Sequence, residues 1–118
     1  MKQPYLLIDP TTIEQNFLHS RNVISQLLDL YLTQIPADLK ALKDAILASD
    51  HTAIANKAHH IKPTVEYVGA TTLRRKLQEL ETAGKNREDM AIIQTLSAAI
   101  EQDIASLLQE IANYQREL

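Results

Sequence analysis

Two adjacent histidines, His59 and His60, lie inside the run Lys57-Ala58-His59-His60-Ile61-Lys62-Pro63-Thr64-Val65-Glu66-Tyr67-Val68-Gly69-Ala70. An imidazole with the unperturbed pKa of about 6.5 is mostly neutral near neutral pH, so it can serve as a nucleophile, a general base or a metal ligand. Spacing narrows that choice. Ile54, Ala58, Ile61, Val65 and Val68 recur at four and three residues, which makes them one apolar stripe of a helix facing a core. At about 100° per residue, His59 falls roughly 140° from the centre of that stripe and His60 about 120° away on the other side. Neither histidine is a core residue in this register.

Their surroundings differ. Ala55 stands one turn before His59 and Pro63 one turn after it, and these small or ringed neighbours leave the imidazole open. Lys62, at i+3, can reach over it as a point charge for a phosphate, and its side chain is expected to be exposed. His60 sits instead near Asn56, Thr64 and Tyr67, with no cation at i+3 and no evident carboxylate. Sterics and charge both select His59. On the next helix, Leu73, Leu77 and Leu80 turn inward, so Arg74, Gln78 and Glu81 form a flank that an antiparallel hairpin can lay beside His59. A carboxylate accepting the Nδ1–H bond would fix the tautomer and leave Nε2 unprotonated for attack. Metal binding through His51, His59 and His60 fits less well, because His59 and His60 diverge around the helix and the i,i+4 ligand spacing is missing. No metal is expected.

The elements that must position these residues all read as helices. Residues 1–10 have no sustained period and read as an extended arm. Thr11 and Glu14 stand in the capping-box relation, opening a short helix with Phe17 and Leu18 on its buried side. Ser20 caps a helix over Arg21 to Gln34, buried through Ile24, Leu27, Leu28 and Tyr31. Pro36 ends it and opens another, Pro36 to Ala48, buried through Leu39, Leu42 and Ile46. Ser49-Asp50 is a turn and N-cap for the histidine helix, and Gly69 stops that helix by entering the left-handed region. Thr71 or Thr72 caps the helix carrying Leu73, Leu77 and Leu80, and Ala83-Gly84-Lys85-Asn86 reads as a loop. From Arg87 to about Glu117 an unbroken rhythm of Ile93, Leu96, Ile100, Ile104, Leu107, Ile111 and Tyr114 predicts one helix about 45 Å long. The predicted fold is all-α: an antiparallel four-helix bundle with a short additional N-terminal helix.

Composition agrees and closes other routes. A chain of 118 residues is long enough for one core but not two. It has no Cys, which removes disulfides and thiolate chemistry. The N-terminus does not resemble a signal peptide and no apolar run approaches a membrane span, so the cytoplasm is the expected location. The net charge of −3 argues against nucleic-acid binding. Between Lys57 and Lys76, however, five basic residues stand against the single acid Glu66. A basic patch on an acidic protein suits an acidic protein surface or a phosphoryl group, and equally a plain solvated helix face.

The run Ala58-His59-His60-Ile61-Lys62-Pro63-Thr64, followed by Gly69-Ala70, Leu73, Leu77 and Leu80-Glu81, resembles the histidine phosphotransfer (HPt) family. That family's pattern is roughly A-H-x-[LI]-K-G-[SA], a glycine ten residues after the histidine, and a leucine ladder ending in L-E. The resemblance extends over Leu27 to Ser49 and so covers most of the chain. It implies a single domain over 1–118 that takes a phosphoryl group on a surface histidine and exchanges it with receiver-domain aspartates. By position, His59 becomes the phosphoacceptor, Lys62 the cation that stabilises the phosphoryl group, and Glu81 the group that orients the imidazole. Ala55, Pro63, Glu66, Arg74 and Gln78 would form the receiver docking face. The partners implied are receiver domains and a hybrid histidine kinase, with no nucleic acid and no membrane. No cofactor is expected in this chain, since Mg²⁺ would be held by the receiver's own carboxylates. With no glycine-rich phosphate loop and no nucleotide motif, the chain reads as a phosphoryl carrier and not a kinase. One residue departs from the pattern: Pro63 stands where the family has glycine, and it cannot donate to the His59 carbonyl. Pro63 keeps open a second reading, a non-catalytic HPt-like module that binds receiver or kinase partners without being phosphorylated.

Overall fold

A computed structural model of the chain describes residues 5–118. In order, the helices are α1 (Pro10–Asn16), α2 (Arg21–Leu47), α3 (His51–Tyr67), α4 (Thr71–Lys85) and α5 (Met90–Glu117). The described residues contain no strand. The four long helices form a ring in which α2 packs on α3 and α5, and α4 packs on the same two, while α1 touches α3. The assembly measures 44 × 22 × 19 Å, its long dimension matching the lengths of α2 and α5, 27 and 28 residues.

The stripes predicted from spacing meet in one core. Ile24, Leu28, Tyr31, Ile35 and Leu42 of α2 pack with Ile54, Ala58, Ile61 and Val65 of α3, Leu73, Leu77 and Leu80 of α4, and Ile93, Ile100, Ile104, Leu107, Ile111 and Tyr114 of α5. Leu27, Leu39, Ile46 and Leu96 lie at the edge of this core and are only partly buried.

The expected break at Pro36 does not occur. α2 runs through it as one 27-residue helix. The missing amide leaves the Leu32 carbonyl without its helical partner, a local cost of about 3 kcal/mol for an interior proline. Buried Ile35 and Leu42 flank Pro36 in unbroken phase, and each contributes about 1.5–3 kcal/mol of burial. Continuity of the stripe outweighs the proline, whose ring is exposed.

Several helix ends also differ from expectation. α1 is capped by Asp9, whose carboxylate accepts from the Thr11 amide at 3.1 Å and the Thr12 hydroxyl at 2.9 Å. The Thr11–Glu14 capping box is therefore not formed. Ile13 is the buried residue of α1; Phe17 is half-buried beside Tyr67, and Leu18, at φ 57°, is exposed because the chain turns away from the core there. Ser20 and Asp50 cap α2 and α3 as expected. α4 takes Ala70 as its N-cap with no side-chain hydrogen bond, so neither Thr71 nor Thr72 caps it. Ala83, Gly84 and Lys85 continue α4 and do not form a loop, and the turn into α5 falls at Arg87, φ 51°. Asp89 caps α5, which thus starts at Met90 and not at Arg87.

Gly69 ends α3 at φ +77°, and a Cβ there would lie 2.6 Å from Asp9 Cβ. The close approach lets the Asp9 amide donate to the Val68 carbonyl at 2.8 Å, fastening the start of α1 to the end of α3. Of the expected N-terminal arm, residues 1–4 lie outside the described residues. Residues 5–9 run along α5, where the Glu110 carboxylate accepts from the amides of Leu7 at 2.9 Å, Ile8 at 3.0 Å and Leu6 at 3.2 Å.

Candidate phosphoacceptor site on α3 and α4

α3 and α4 run antiparallel, so one turn along α3 matches one turn back along α4. His59 lies beside Glu81 and Lys62 beside Gln78. Both histidines project to solvent, with side chains 68% exposed for His59 and 65% for His60. The core-facing stripe fixed this orientation, as spacing predicted.

The His59 Nδ1 lies 3.3 Å from Glu81 Oε1 and 3.2 Å from Oε2. An ionised carboxylate can only accept, so this contact requires the proton on Nδ1 and leaves Nε2 as the bare nitrogen. Glu81 is almost fully enclosed, at 3% side-chain exposure, and three cations or donors converge on it. Lys62 Nζ is 2.7 Å from Oε1 and Lys85 Nζ is 2.9 Å from Oε2. Burial alone would push the Glu81 carboxyl up, but hydrogen bonds from Lys62, Lys85 and His59 outweigh it and hold the pKa at about 2, against an ordinary 4.5. Glu81 therefore stays ionised and does not take the proton from Nδ1.

Two expectations are corrected here. Lys62 is not exposed: its side chain is only 12% accessible, because its stem packs between α3 and α4 and its ammonium is shared by Glu81 and the Gln78 carbonyl oxygen, the latter at 2.6 Å. Ala55 is not on an open face: it is buried against Gly84 of α4. Of the other residues assigned to a docking face, Pro63 and Glu66 are exposed and Gln78 is partly covered. Glu66 pairs with Arg74 at 3.4 Å, nearer the C-terminal end of α3.

His60 is not without a carboxylate. Its Nε2 lies 3.6 Å from Asp38 Oδ1 of α2, a long contact against 3.2 Å for the His59 pair. Spacing does not show it: a break at Pro36 leaves residues 36–48 with no fixed register to α3, whereas the continuous α2 brings Asp38 beside His60.

Lys85 was missed for a similar reason. In a loop over residues 83–86 Lys85 has no defined direction; within α4 it stands one turn after Glu81 and is largely exposed. The i,i+4 acid-then-base spacing of Glu81 and Lys85 was a readable signal. The enclosed carboxylate that meets His59 is thus shared with one largely buried ammonium and one exposed ammonium.

A model of the Hpt domain family matches residues 26–113. In fold the chain is similar to the crystal structure of histidine-containing phosphotransfer protein B (HptB) from Pseudomonas aeruginosa PAO1. That likeness has a TM-score of 0.86, covers 99% of each chain and holds at 20% sequence identity. A comparison with curated proteins found no match. With three quarters of its length matched by the family model, the chain belongs to the Hpt domain family.

Proposed function

We propose that this protein is a phosphoryl carrier in which His59 Nε2 exchanges a phosphoryl group with the aspartate of a receiver domain in two-component signalling. The single observation that carries the assignment to His59 is its Nδ1 contact, at 3.2 Å, with the enclosed carboxylate of Glu81. In the forward step the lone pair of Nε2 attacks phosphorus, the acyl-phosphate P–O bond breaks, and the receiver's aspartate leaves as a carboxylate. No proton moves. The imidazole becomes a phospho-imidazolium whose Nδ1–H remains on Glu81, so the positive charge formed in the ring faces a fixed negative one. The reverse step runs through the same contacts.

Positioning and charge supply most of the catalysis in phosphoryl transfer. Lys85 is free enough to leave Glu81 and meet the phosphoryl oxygens, whereas Lys62 is held and acts chiefly by fixing Glu81. Mg²⁺ belongs to the receiver in this scheme. Exposed Pro63 and Glu66, with Arg74 and Gln78 beside them, form the docking face, and receiver domains and a hybrid kinase are the partners. The cytoplasm, where such receivers display their aspartates, is the proposed site of action; no helix among the described residues is long and apolar enough to cross a membrane.

Incubation with a phosphorylated receiver domain is expected to label the wild type with an acid-labile, alkali-stable phosphoryl group. His59→Gln should abolish the label and His60→Gln should retain most of it. Loss of label in the His60 variant alone would sink the assignment. Binding of receivers without any label on the wild type would favour the non-catalytic module instead.

A further inference from the structure

Gly84 is a glycine that its backbone does not require. It lies in the last turn of α4 and is buried, and its φ is not positive; among the described glycines only Gly69 has a positive φ. Alanine is the better helix former even in a last turn, and the missing Cβ has a steric use here. It makes room for α3. A Cβ on Gly84 would lie 2.9 Å from the His51 carbonyl oxygen, 3.0 Å from the Ala55 amide nitrogen and 3.1 Å from Ala55 Cβ. The two nearest atoms are backbone and cannot swing aside. A side chain at position 84 would have to move α4 away from α3.

That contact sits one turn from the chemistry on both helices. Stepping back along α4, residues 84, 81 and 78 share one face. Stepping forward along α3, they meet residues 55, 59 and 62 in turn. The His51 ring adds a tie at the same end, with Nε2 2.8 Å from the Glu88 carbonyl oxygen. The two pairs beyond the contact differ in how much separation they tolerate. Lys62 reaches Glu81 at 2.7 Å, half an ångström shorter than the His59 contact, so a modest separation leaves that pair within hydrogen-bond range. The His59 ring is short and stiff, and its 3.2–3.3 Å contact is already at the long end of the hydrogen-bond range.

We propose that Gly84 is a positioning residue for His59: its bare backbone sets the α3–α4 spacing at which Glu81 reaches Nδ1, and so sets the tautomer of the nucleophile. The proposal builds on the phosphotransfer reading for its consequence but not for its geometry. Gly84→Ala should leave the bundle folded with a wider α3–α4 gap, keep the Lys62–Glu81 pair, and release His59.

The test uses the full chain, unphosphorylated, with ¹⁵N-imidazole NMR over a pH titration. In the wild type neutral His59 should be held as the Nδ1–H tautomer; in Gly84→Ala it should move to a mixture of both forms, and labelling by a phosphorylated receiver should fall about ten- to a hundred-fold, the scale expected for an ångström-size misplacement. Ile111→Ala, in the core of α5, is the control: it should lower stability without moving the His59 tautomer. Glu81→Asp withdraws the carboxylate by one methylene and leaves the Gly84 contact alone. It should reproduce the tautomer shift, and it keeps the question open to measurement if Gly84→Ala does not fold. A folded Gly84→Ala with the wild-type tautomer overturns the proposal, as does an unchanged tautomer in Glu81→Asp. A tautomer shift in a protein that no receiver labels would instead remove the phosphotransfer reading and leave the spacing role standing.

Discussion

At the scale of single residues, the site is a carboxylate that three partners share, and this makes Glu81 as much a structural group as a functional one. Its pKa of about 2, below the ordinary 4.5, means that the folded state holds the proton less tightly than the unfolded chain. The stabilisation is full above about 4.5 and is lost as pH falls toward about 2, and linkage puts it on the order of 3 kcal/mol. Urea unfolding of the wild type and Glu81→Gln across that window should show the wild type losing this much relative to the variant; a constant difference would mean that Glu81 is not held by its cations. Lys62→Ala should cost about 1–3 kcal/mol in the same measurement, since it removes the shorter of two ion pairs from an enclosed carboxylate. Much of this was readable. The apolar stripe of α3 placed His59 and His60 on the surface, and the antiparallel hairpin placed Glu81 beside His59, with Gln78 a turn away at Lys62. What spacing could not show was depth: Lys62 is polar and off the stripe, yet the helices close over its stem.

At the scale of elements, the sequence was most legible where hydrophobic phase ran without interruption and least where proline or glycine interrupted it. Pro36 and Gly84 are both breaks by local propensity, yet both are helical: the stripe of α2 stays in phase across Pro36, and the last turn of α4 packs Ala83 and Gly84 inward, Gly84 directly against α3. Tertiary packing decided each case. The two interior prolines still carry local costs that packing hides. Pro36 leaves the Leu32 carbonyl unpaired, and Pro63 leaves that of His59 unpaired, as the i→i−4 pattern requires. Pro36→Ala should therefore raise the unfolding free energy by about 1–2 kcal/mol, less than the full proline penalty because the unfolded chain gains freedom. Pro63→Ala should do the same by restoring the amide that bonds the His59 carbonyl, without shifting the Nδ1 contact, which is set from α4. Thermal melts of the two variants check this, and a lower melting temperature for Pro36→Ala would show that α2 needs its proline for shape.

For the whole molecule, the question is how the two ends of the chain are joined to the bundle that holds the site. Composition and length pointed to one helical core, and the ring of α2, α3, α4 and α5 is that core. The arm at residues 5–9 had no period and so no predictable position. Three of its amides are held by a single side chain. Glu110 on α5 accepts the amides of Leu6, Leu7 and Ile8, and those groups have no sheet or helix to satisfy them. The arm in turn leads into Asp9, which caps α1 and donates its amide to Val68 at the end of the histidine helix. One carboxylate near the end of α5 thus tethers the segment that closes α3. Glu110→Ala should release three amides at once, one exposed and two part-buried, at a cost of about 1 kcal/mol. Hydrogen exchange locates the effect. Protection at Leu7 and Ile8 should disappear and that at Asp9 should weaken, while Ile61 in the middle of α3 should keep its wild-type opening free energy less only the global loss. Receiver labelling of the variant should stay within a few-fold of wild type, because His59, Lys62 and Glu81 are set by the α3–α4 contact. If protection at Leu7 and Ile8 survived the substitution, the arm would be held by its apolar contacts, Ile8 in the core and Tyr5 edge-on against Tyr114, and not by Glu110.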